Sequence, residues 1–162
     1  MRLLPLVVAA SLVAGAAAAP PATPPTAAPA APAAAGADFL ARNAHEKGVQ
    51  TLPSGLQLKV VASGPAGGPS PKPGDIIKVH YEGKLTSGEV FDSSFERGKP
   101  VLMPLANLVP AWMEALPRMR VGDEWMLYAP PELGYGAQGA GPIPPNSVLI
   151  FRVKLLGMLS AD

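Results

Sequence analysis

Four short segments of the chain carry side chains that could form a binding site. Residues 79–83 read VHYEG, residues 91–94 read FDSS, residues 133–136 read LGYG and residues 143–146 read IPPN. With Trp112 they bring together aromatic rings, two phenol hydroxyls and an aspartate. Aromatic side chains combine a large apolar surface with, in tyrosine and tryptophan, a polar group that needs a partner. Such a set suits an apolar pocket with few polar groups, of the kind that holds a proline ring.

The residues required for other chemistries are missing from the sequence. His45 and His80 have no cysteine, second histidine or clustered carboxylates at ligand spacing, so we expect no metal site. No Ser–His–Asp set, paired carboxylates or glycine-rich phosphate loop stands out, and no cofactor is expected. The formal net charge of +1 and the lack of a basic stripe exclude nucleic acid as a partner. Because the chain has no cysteine, its stability must come from packing.

The first 19 residues are typical of an export signal. Arg2 supplies a positive start, residues 3–14 are apolar, and residues 17–19 are three alanines that suit cleavage. An uncleaved membrane anchor is the alternative, but the apolar stretch is short for a bilayer span. We therefore predict a signal peptide over residues 1–19. The mature protein is expected to be exported, periplasmic in a bacterium, with no stable membrane insertion after cleavage.

Two further segments precede the patterned part of the sequence. Residues 20–36 are almost entirely proline, alanine and threonine, which predicts a disordered, semi-stiff linker because little apolar surface could be buried. A proline-rich docking site is the alternative. Residues 37–53 are predicted to be a short helix and lead-in, with Asp38 as the cap and Gly48 at the end. Because only this short helix is present, we expect a monomer.

From residue 56 onwards the hydrophobic pattern has the period of two that indicates β-strands. Leu58 and Val60 alternate with Gln57, which predicts a half-buried strand with the glutamine outside. The Ser-Gly pair at residues 87–88 indicates a hairpin turn. Further inward-facing alternation is found at Ile77, Val79 and Tyr81, at Trp125, Leu127 and Ala129, and at Leu149, Phe151, Val153 and Leu155.

One helix candidate interrupts these strands. Asn107 could cap it, and Pro110 suits its first turn, where a missing N–H costs nothing. Pro117 is expected to end or kink the helix. Apolar residues recur at helical spacing at Val109, Trp112, Leu116 and Met119. A single helix laid across a twisted antiparallel sheet gives residues 54–162 an α+β architecture.

The order and spacing of these motifs resemble the FKBP-type peptidyl-prolyl cis-trans isomerases, of the exported bacterial type, over residues 54–158. The resemblance implies a twisted antiparallel β-sheet wrapped around one short α-helix. It also implies an isomerase that acts on proline-containing polypeptides during the folding of exported proteins. Macrolide inhibitors are the small-molecule ligands that it implies.

The resemblance further implies roles for individual residues. The implied catalytic residues are Tyr81, Phe91, Asp92, Trp112 and Tyr135, with Trp112 as the pocket floor. The implied substrate-binding residues are Val101, Leu108, Val109, Ile143, Phe151 and Arg97. In this arrangement the Val109 N–H and the Tyr135 hydroxyl bind the carbonyls that flank the proline. Asp92 accepts a hydrogen bond from Tyr81.

Some residues depart from the family pattern, and other functions stay open. Val101 is small where family members often have an aromatic residue, and Ala140 replaces a larger residue over the pocket mouth. We expect both changes to alter substrate preference and macrolide affinity. Taken singly, Trp112 fits an ordinary core residue and Asp92 a turn residue paired with Arg97. The alternative functions are a non-catalytic peptide-binding chaperone module of the cell envelope and, if the signal is not cleaved, a tethered envelope scaffold.

Overall fold

The computed structural model describes residues 27–161. The predicted signal peptide, residues 1–19, and residues 20–26 of the predicted linker lie outside this range. The described helices are α1 (Ala27–Asn43) and α2 (Pro110–Ala115), with 3-10 turns at Leu116–Arg118 and Pro131–Leu133. The described strands are β1 (Val49–Thr51), β2 (Gln57–Ala62), β3 (Ile76–Leu85), β4 (Val90–Ser93), β5 (Val101–Pro104), β6 (Glu124–Ala129) and β7 (Leu149–Leu159). None of the described helices is long and apolar enough to cross a membrane.

The strands form a single antiparallel sheet within the described range. Their spatial order is β1-β2-β6-β7-β3-β4, and β5 pairs with the first half of β3. The two longest strands lie side by side, from Ile76 opposite Leu159 to Leu85 opposite Leu149. A sheet of this kind with a short helix on one face confirms the predicted α+β class.

The core lies between the inner face of the sheet and α2. Alternate residues of β7 are at most 4% exposed, as predicted, at Leu149, Phe151, Val153 and Leu155. The buried side of α2 consists of Ala111, Trp112 and Ala115. Because α2 has only six residues, it depends on this packing rather than on its own helix propensity.

Prolines determine where α2 begins and ends. Pro110 occupies the first position, where its missing N–H costs no hydrogen bond. Pro117 falls after the last α-helical residue, and the chain continues there as a 3-10 turn, so the predicted helix end is confirmed. The prediction for Asn107 is wrong. Val109 is the N-cap residue, no side chain caps the helix, and Asn107 has a φ of 57°.

Strand β2 is buried in a different pattern from the predicted one. Gln57 is 4% exposed and Val60 is 40% exposed, the reverse of what the alternation indicated. Gln57 is buried because α1 covers it. Its amide donates to the Leu40 carbonyl and accepts from Asn43 Nδ2, each at 2.8 Å. Val60 adjoins a bulge against β6, at Val60 and Ala62, which turns the strand locally.

Helix α1 begins earlier than the sequence indicated. Residues 27–36, predicted as part of a disordered linker, are helical, and Asp38 lies inside the helix rather than at its cap. Alanine is the strongest helix former and dominates this stretch, while Pro29 falls in the first turn, where a helix tolerates it. The second half of α1 packs on the sheet, with the Phe39 ring centroid 6.0 Å from that of Tyr128.

The close approach of α1 to the sheet domain depends on Gly36. A Cβ atom at this position would lie only 2.8 Å from Val148 Cγ2. We therefore expect Gly36→Val to lower the free energy of unfolding by about 1–3 kcal/mol through overpacking. Ala37→Val, at the exposed next position, should change it by no more than about 0.5 kcal/mol. Urea denaturation measures both values, and equal effects would contradict the docking of α1.

Candidate active site

One recess opens beside α2 on the inner side of the sheet. Its volume is about 250 Å³. Its border consists of Tyr81, Phe91, Asp92, Met103, Asn107, Leu108, Val109, Trp112, Tyr135 and Phe151. All five residues expected to be catalytic are therefore brought together, as are three of those expected to bind substrate. Among residues 27–161, no group of three or more His, Cys, Asp or Glu side chains could hold a metal ion.

The indole of Trp112 is held by aromatic rings from two different strands. Its centroid lies 5.1 Å from Tyr81 on β3 and 5.6 Å from Phe151 on β7, at interplanar angles of 81° and 80°. Phe91 on β4 extends the series, 5.9 Å from Phe151 at 88°. Each such edge-to-face pair contributes about 0.5–1.5 kcal/mol beyond area burial. The four rings therefore fix one another's orientation on a single apolar surface.

Phe91 reaches the recess because of an irregularity between β3 and β4. Gly83 pairs with Asp92 and Lys84 with Val90, so Phe91 is an extra residue without a partner. A β-bulge of this kind re-aims a side chain. A Cβ atom on Gly83 would lie 2.5 Å from Phe91 Cζ, so glycine is needed to leave room for the ring. The glycine of the VHYEG segment therefore positions the phenylalanine of the FDSS segment.

Asp92 is engaged on both carboxylate oxygens at the rim of the recess. The Tyr81 hydroxyl donates to Oδ2, and Arg97 Nη1 donates to Oδ1 at 2.5 Å. Arg97 Nη2 also donates to the Tyr81 hydroxyl at 3.3 Å. Burial, followed by the bond to Asp92, raises the pKa of Tyr81. Burial alone would raise the pKa of Asp92, but the bonds from Tyr81 and Arg97 outweigh it and lower that pKa.

Val109 and Tyr135 border the recess with donors that a ligand could use. Within the described residues the backbone N–H of Val109 donates no hydrogen bond, because α2 begins directly after it. Tyr135 is 42% exposed. Its loop is tied to the IPPN segment, since the Asn146 N–H donates to the Gly136 carbonyl at 2.9 Å. This geometry suits the expected binding of substrate carbonyls, which stays a prediction.

Three residues expected to bind substrate do not border the recess. Val101 lies on β5 opposite Val79, and its small side chain stays outside the border. Ile143 is 6% exposed and forms an isolated antiparallel bridge with Ala140. The Arg97 side chain is 49% exposed and contacts Asp92 and Tyr81 rather than the recess itself.

Two residues at the border were not expected there. Met103 lies two residues beyond Val101 on β5 and opposite Ile77, so the alternation of β5 was a signal that could have identified it. The second is Asn107, which the sequence predicts as a helix cap. Its φ of 57° lies in the left-handed region that asparagine tolerates better than most residues, and its sequence context gave no sign of this.

An antiparallel sheet with one short helix and an aromatic recess defines a small domain whose recess suits apolar ligands. Comparison with known proteins identifies its family. Residues 67–156 match the family described as FKBP-type peptidyl-prolyl cis-trans isomerase. Residues 16–60 match the domain described as amino terminal to that isomerase. The chain belongs to the FKBP-type peptidyl-prolyl cis-trans isomerase family, as its motifs predicted.

Individual proteins that are similar to this chain belong to the same family by name. Peptidyl-prolyl cis-trans isomerase Mip of Coxiella burnetii is 49% identical over 121 residues, which cover 74% of this chain and 52% of the relative. The FKBP-type 22 kDa isomerase of Escherichia coli is 48% identical over 78% of this chain and 61% of its own length. The crystal structure of FkpA from Escherichia coli has a TM-score of 0.79 at 39% identity, over 85% of this chain and 63% of that one. The chain thus spans about half the length of the curated relatives it matches.

Because the position of the Phe91 ring depends on Gly83, adding one methyl group at residue 83 should have a larger effect than adding one at another glycine of the sheet. Gly83→Ala should displace the Phe91 ring and lower both isomerase activity and the free energy of unfolding, the latter by about 1–3 kcal/mol. Gly157→Ala is the matched control on the neighbouring strand, because its nearest heavy atom is Lys78 Cβ at 4.0 Å. Peptide isomerisation rates and urea denaturation measure the two effects. Similar losses in both variants would contradict the idea that Gly83 leaves room for the Phe91 ring.

The pKa shifts predict how the rim responds to pH. The lowered pKa of Asp92 contributes stability above its usual value of 3.8 that is lost as pH falls through the folded value. The raised pKa of Tyr81 contributes stability below 10.0 that is lost at higher pH. The difference in unfolding free energy between wild type and Asp92→Asn should therefore be constant from about pH 5 to about pH 9, inside the range between these two values, and shrink below pH ~4. Because the Asp92 side chain is 41% exposed, this difference should be about 1 kcal/mol or less. A difference that grows in acid would contradict the assignment.

Proposed function

We propose that the protein is a peptidyl-prolyl cis-trans isomerase that accelerates rotation about Xaa–Pro bonds. The observation that carries the proposal is the recess of about 250 Å³ bordered by the rings of Tyr81, Phe91, Trp112 and Phe151. Family membership supports it, because the relatives are named as isomerases of this type. Proline-containing polypeptides are the proposed substrates.

An apolar recess is sufficient to lower the barrier of this reaction. The barrier, about 18–20 kcal/mol, comes from the amide resonance that keeps the bond planar. The planar amide is charge-separated and is stabilised by water around its carbonyl, whereas the twisted imide depends less on that water. Removing water therefore raises the energy of the planar form more than that of the twisted form. A recess shaped for the twisted imide binds the transition state more tightly than the ground state.

The bordering residues have distinct proposed roles in this mechanism. The Trp112 indole is the floor on which the proline ring rests, with Phe91 and Phe151 as walls. The carbonyls on either side of the proline bind to the Val109 N–H and the Tyr135 hydroxyl. Among the described residues the Val109 N–H donates no hydrogen bond, and Tyr135 is an exposed residue. Asp92 holds the Tyr81 ring in place rather than taking a proton, because both of its oxygens already accept hydrogen bonds.

We further propose that the protein acts on exported proteins as a monomer in the cell envelope. Uncatalysed prolyl isomerisation takes about 10–100 s, which limits the folding of chains that have just been exported. The signal-like residues 1–19 support export, and a relative from Legionella longbeachae, 40% identical over 129 residues, is named outer membrane protein MIP. The docking of α1 on its own sheet through Gln57 and Tyr128 supports the monomer.

Macrolides of the immunosuppressant type are proposed inhibitors. They would occupy the same recess as the proline ring. Val101 leaves β5 with a small side chain beside the recess, and Met103 supplies an unbranched one at its border. An unbranched thioether adapts to irregular shapes, so this wall is expected to accept varied ligands at some cost in affinity.

Removing one aromatic wall tests the proposed function directly. Phe91→Ala should lower kcat/KM on a short Xaa-Pro peptide by about tenfold or more, because a lost contact of about 1.4 kcal/mol in the transition state changes the rate tenfold. NMR exchange spectroscopy on the peptide measures the rate without a coupling protease. Phe39→Ala is the matched control, since Phe39 lies on α1 and packs against Tyr128 of β6, away from the recess. It should leave kcat/KM unchanged at temperatures where the variant is folded.

The same variants separate catalysis from peptide binding alone. Full isomerase activity in Phe91→Ala would reject the assignment of the site. A wild-type protein that suppresses aggregation of an unfolded client but has no isomerase activity would instead support the chaperone alternative.

A further inference from the structure

The outer side of β3 carries a hydrogen-bonded cluster that the proposed mechanism does not use. Ser94, which is fully buried, lies between His80 and Tyr81. His80 faces the opposite side of the sheet from Tyr81, and its ring stacks on Phe95 with centroids 4.8 Å apart and an interplanar angle of 16°. The cluster therefore connects the outer surface to the backbone of a residue at the recess.

Ser94 forms hydrogen bonds with both backbone polar groups of Tyr81 that point towards β4. The Tyr81 N–H donates to Ser94 Oγ at 2.8 Å. The Ser94 N–H donates to the Tyr81 carbonyl, also at 2.8 Å. Ser94 Oγ lies 3.2 Å from that same carbonyl oxygen and 2.9 Å from His80 Nδ1. The hydrogen bonds that hold the Tyr81 backbone on its β4 side therefore all come from one serine.

The Ser94 hydroxyl cannot donate to His80 Nδ1 and to the Tyr81 carbonyl at the same time. A hydroxyl has one proton to donate and two lone pairs. When His80 is neutral with its proton on Nε2, Nδ1 is an acceptor and attracts the hydroxyl proton. When His80 is protonated, Nδ1–H donates to Oγ, and the hydroxyl proton is free to bond the Tyr81 carbonyl. The protonation of His80 thus decides which of two acceptors receives the proton.

We propose that Ser94 is a positioning residue for Tyr81 and that protonation of His80 turns the Ser94 hydroxyl from the imidazole to the Tyr81 carbonyl. In the protonated state the Tyr81 carbonyl accepts from both the N–H and the hydroxyl of Ser94. This holds β3 more firmly where the Tyr81 ring packs on Trp112 and its hydroxyl bonds Asp92. The consequence for catalysis rests on the proposed function, whereas the hydroxyl switch does not.

Charged groups from β3 itself, β7 and β6 share the outer face of the sheet with His80. Lys154 on β7 is its direct cross-strand partner. The Arg152 guanidinium lies over the Phe95 ring at 4.7 Å and bonds the buried carboxylate of Glu124. The charged side chains on this face are Lys78 and Glu82 on β3, Arg152 and Lys154 on β7, and Glu124 on β6. A pH step in this cluster is therefore assigned to His80 only if it disappears when that residue is replaced.

NMR titration of the full ¹⁵N,¹³C-labelled chain tests the switch without relying on activity. In the wild type, neutral His80 should have its proton on Nε2, and the Tyr81 amide and carbonyl resonances should shift with the same midpoint as the His80 ring. In Ser94→Ala, His80 should still titrate while the Tyr81 response is lost. His80→Gln should also remove the Tyr81 response. His45→Gln, the control at the other histidine of the chain, should leave it intact.

The pH profile of peptide isomerisation supplies a second readout. Wild type and His45→Gln should show a step in kcat/KM of up to about fivefold at the His80 midpoint, because one hydrogen bond is at stake. Ser94→Ala and His80→Gln should show no step. A neutral His80 with its proton on Nδ1, or a Tyr81 response that persists in Ser94→Ala, would overturn the proposal. Absence of isomerase activity at every pH, with the coupled NMR titration intact, would reject the proposed function and leave the switch standing.

Discussion

The packing of one indole between two strands is the interaction on which the recess depends. Trp112 belongs to a helix of six residues, too short to be stable alone, and it is clamped edge-to-face by Tyr81 and Phe151. These two residues come from β3 and β7, which lie side by side at the centre of the sheet. The same contacts therefore attach the helix to the sheet and orient the apolar floor. Stability and site geometry are not separable at this point of the fold.

The polar groups at the recess serve mainly to hold this apolar surface in shape. Asp92 accepts from Tyr81 and Arg97. Burial and the bond to Asp92 raise the pKa of Tyr81, whereas the bonds that Asp92 accepts outweigh burial and lower the pKa of Asp92. On the far side of the same strand, Ser94 binds both free backbone groups of Tyr81. Tyr81 is thus fixed at its hydroxyl, its ring and its backbone. Such preorganisation suits a site that works by shape and by exclusion of water.

Local patterns predicted much of this arrangement, and long-range contacts account for what they missed. The alternation of β7 and the roles of Pro110 and Pro117 follow from periodicity and local residue preferences. The shared location of the main aromatic residues was implied by the resemblance to the FKBP-type family. The burial of Gln57 does not, because it depends on α1 folding back to supply Leu40 and Asn43 as partners. The helix at residues 27–36 does not follow from the proline content, which predicts a linker; the high helix propensity of its alanines accounts for it. Val101 was expected at the recess, but Met103 occupies that wall from the same face of β5.

The unpaired indole nitrogen of Trp112 is consistent with a recess floor that is kept apolar at a cost in stability. Its Nε1 is buried without a hydrogen-bond partner among the described residues, a condition that costs about 1–3 kcal/mol. Trp125 Nε1, on β6 and outside the recess border, is in the same condition, so the unpaired nitrogen does not by itself mark a site. What distinguishes Trp112 is that any nearby acceptor able to satisfy its nitrogen would add a polar group to the floor. In the proposed mechanism a polar floor would stabilise the planar amide and remove the advantage of the twisted one, so the cost in stability follows from the chemistry proposed for the recess.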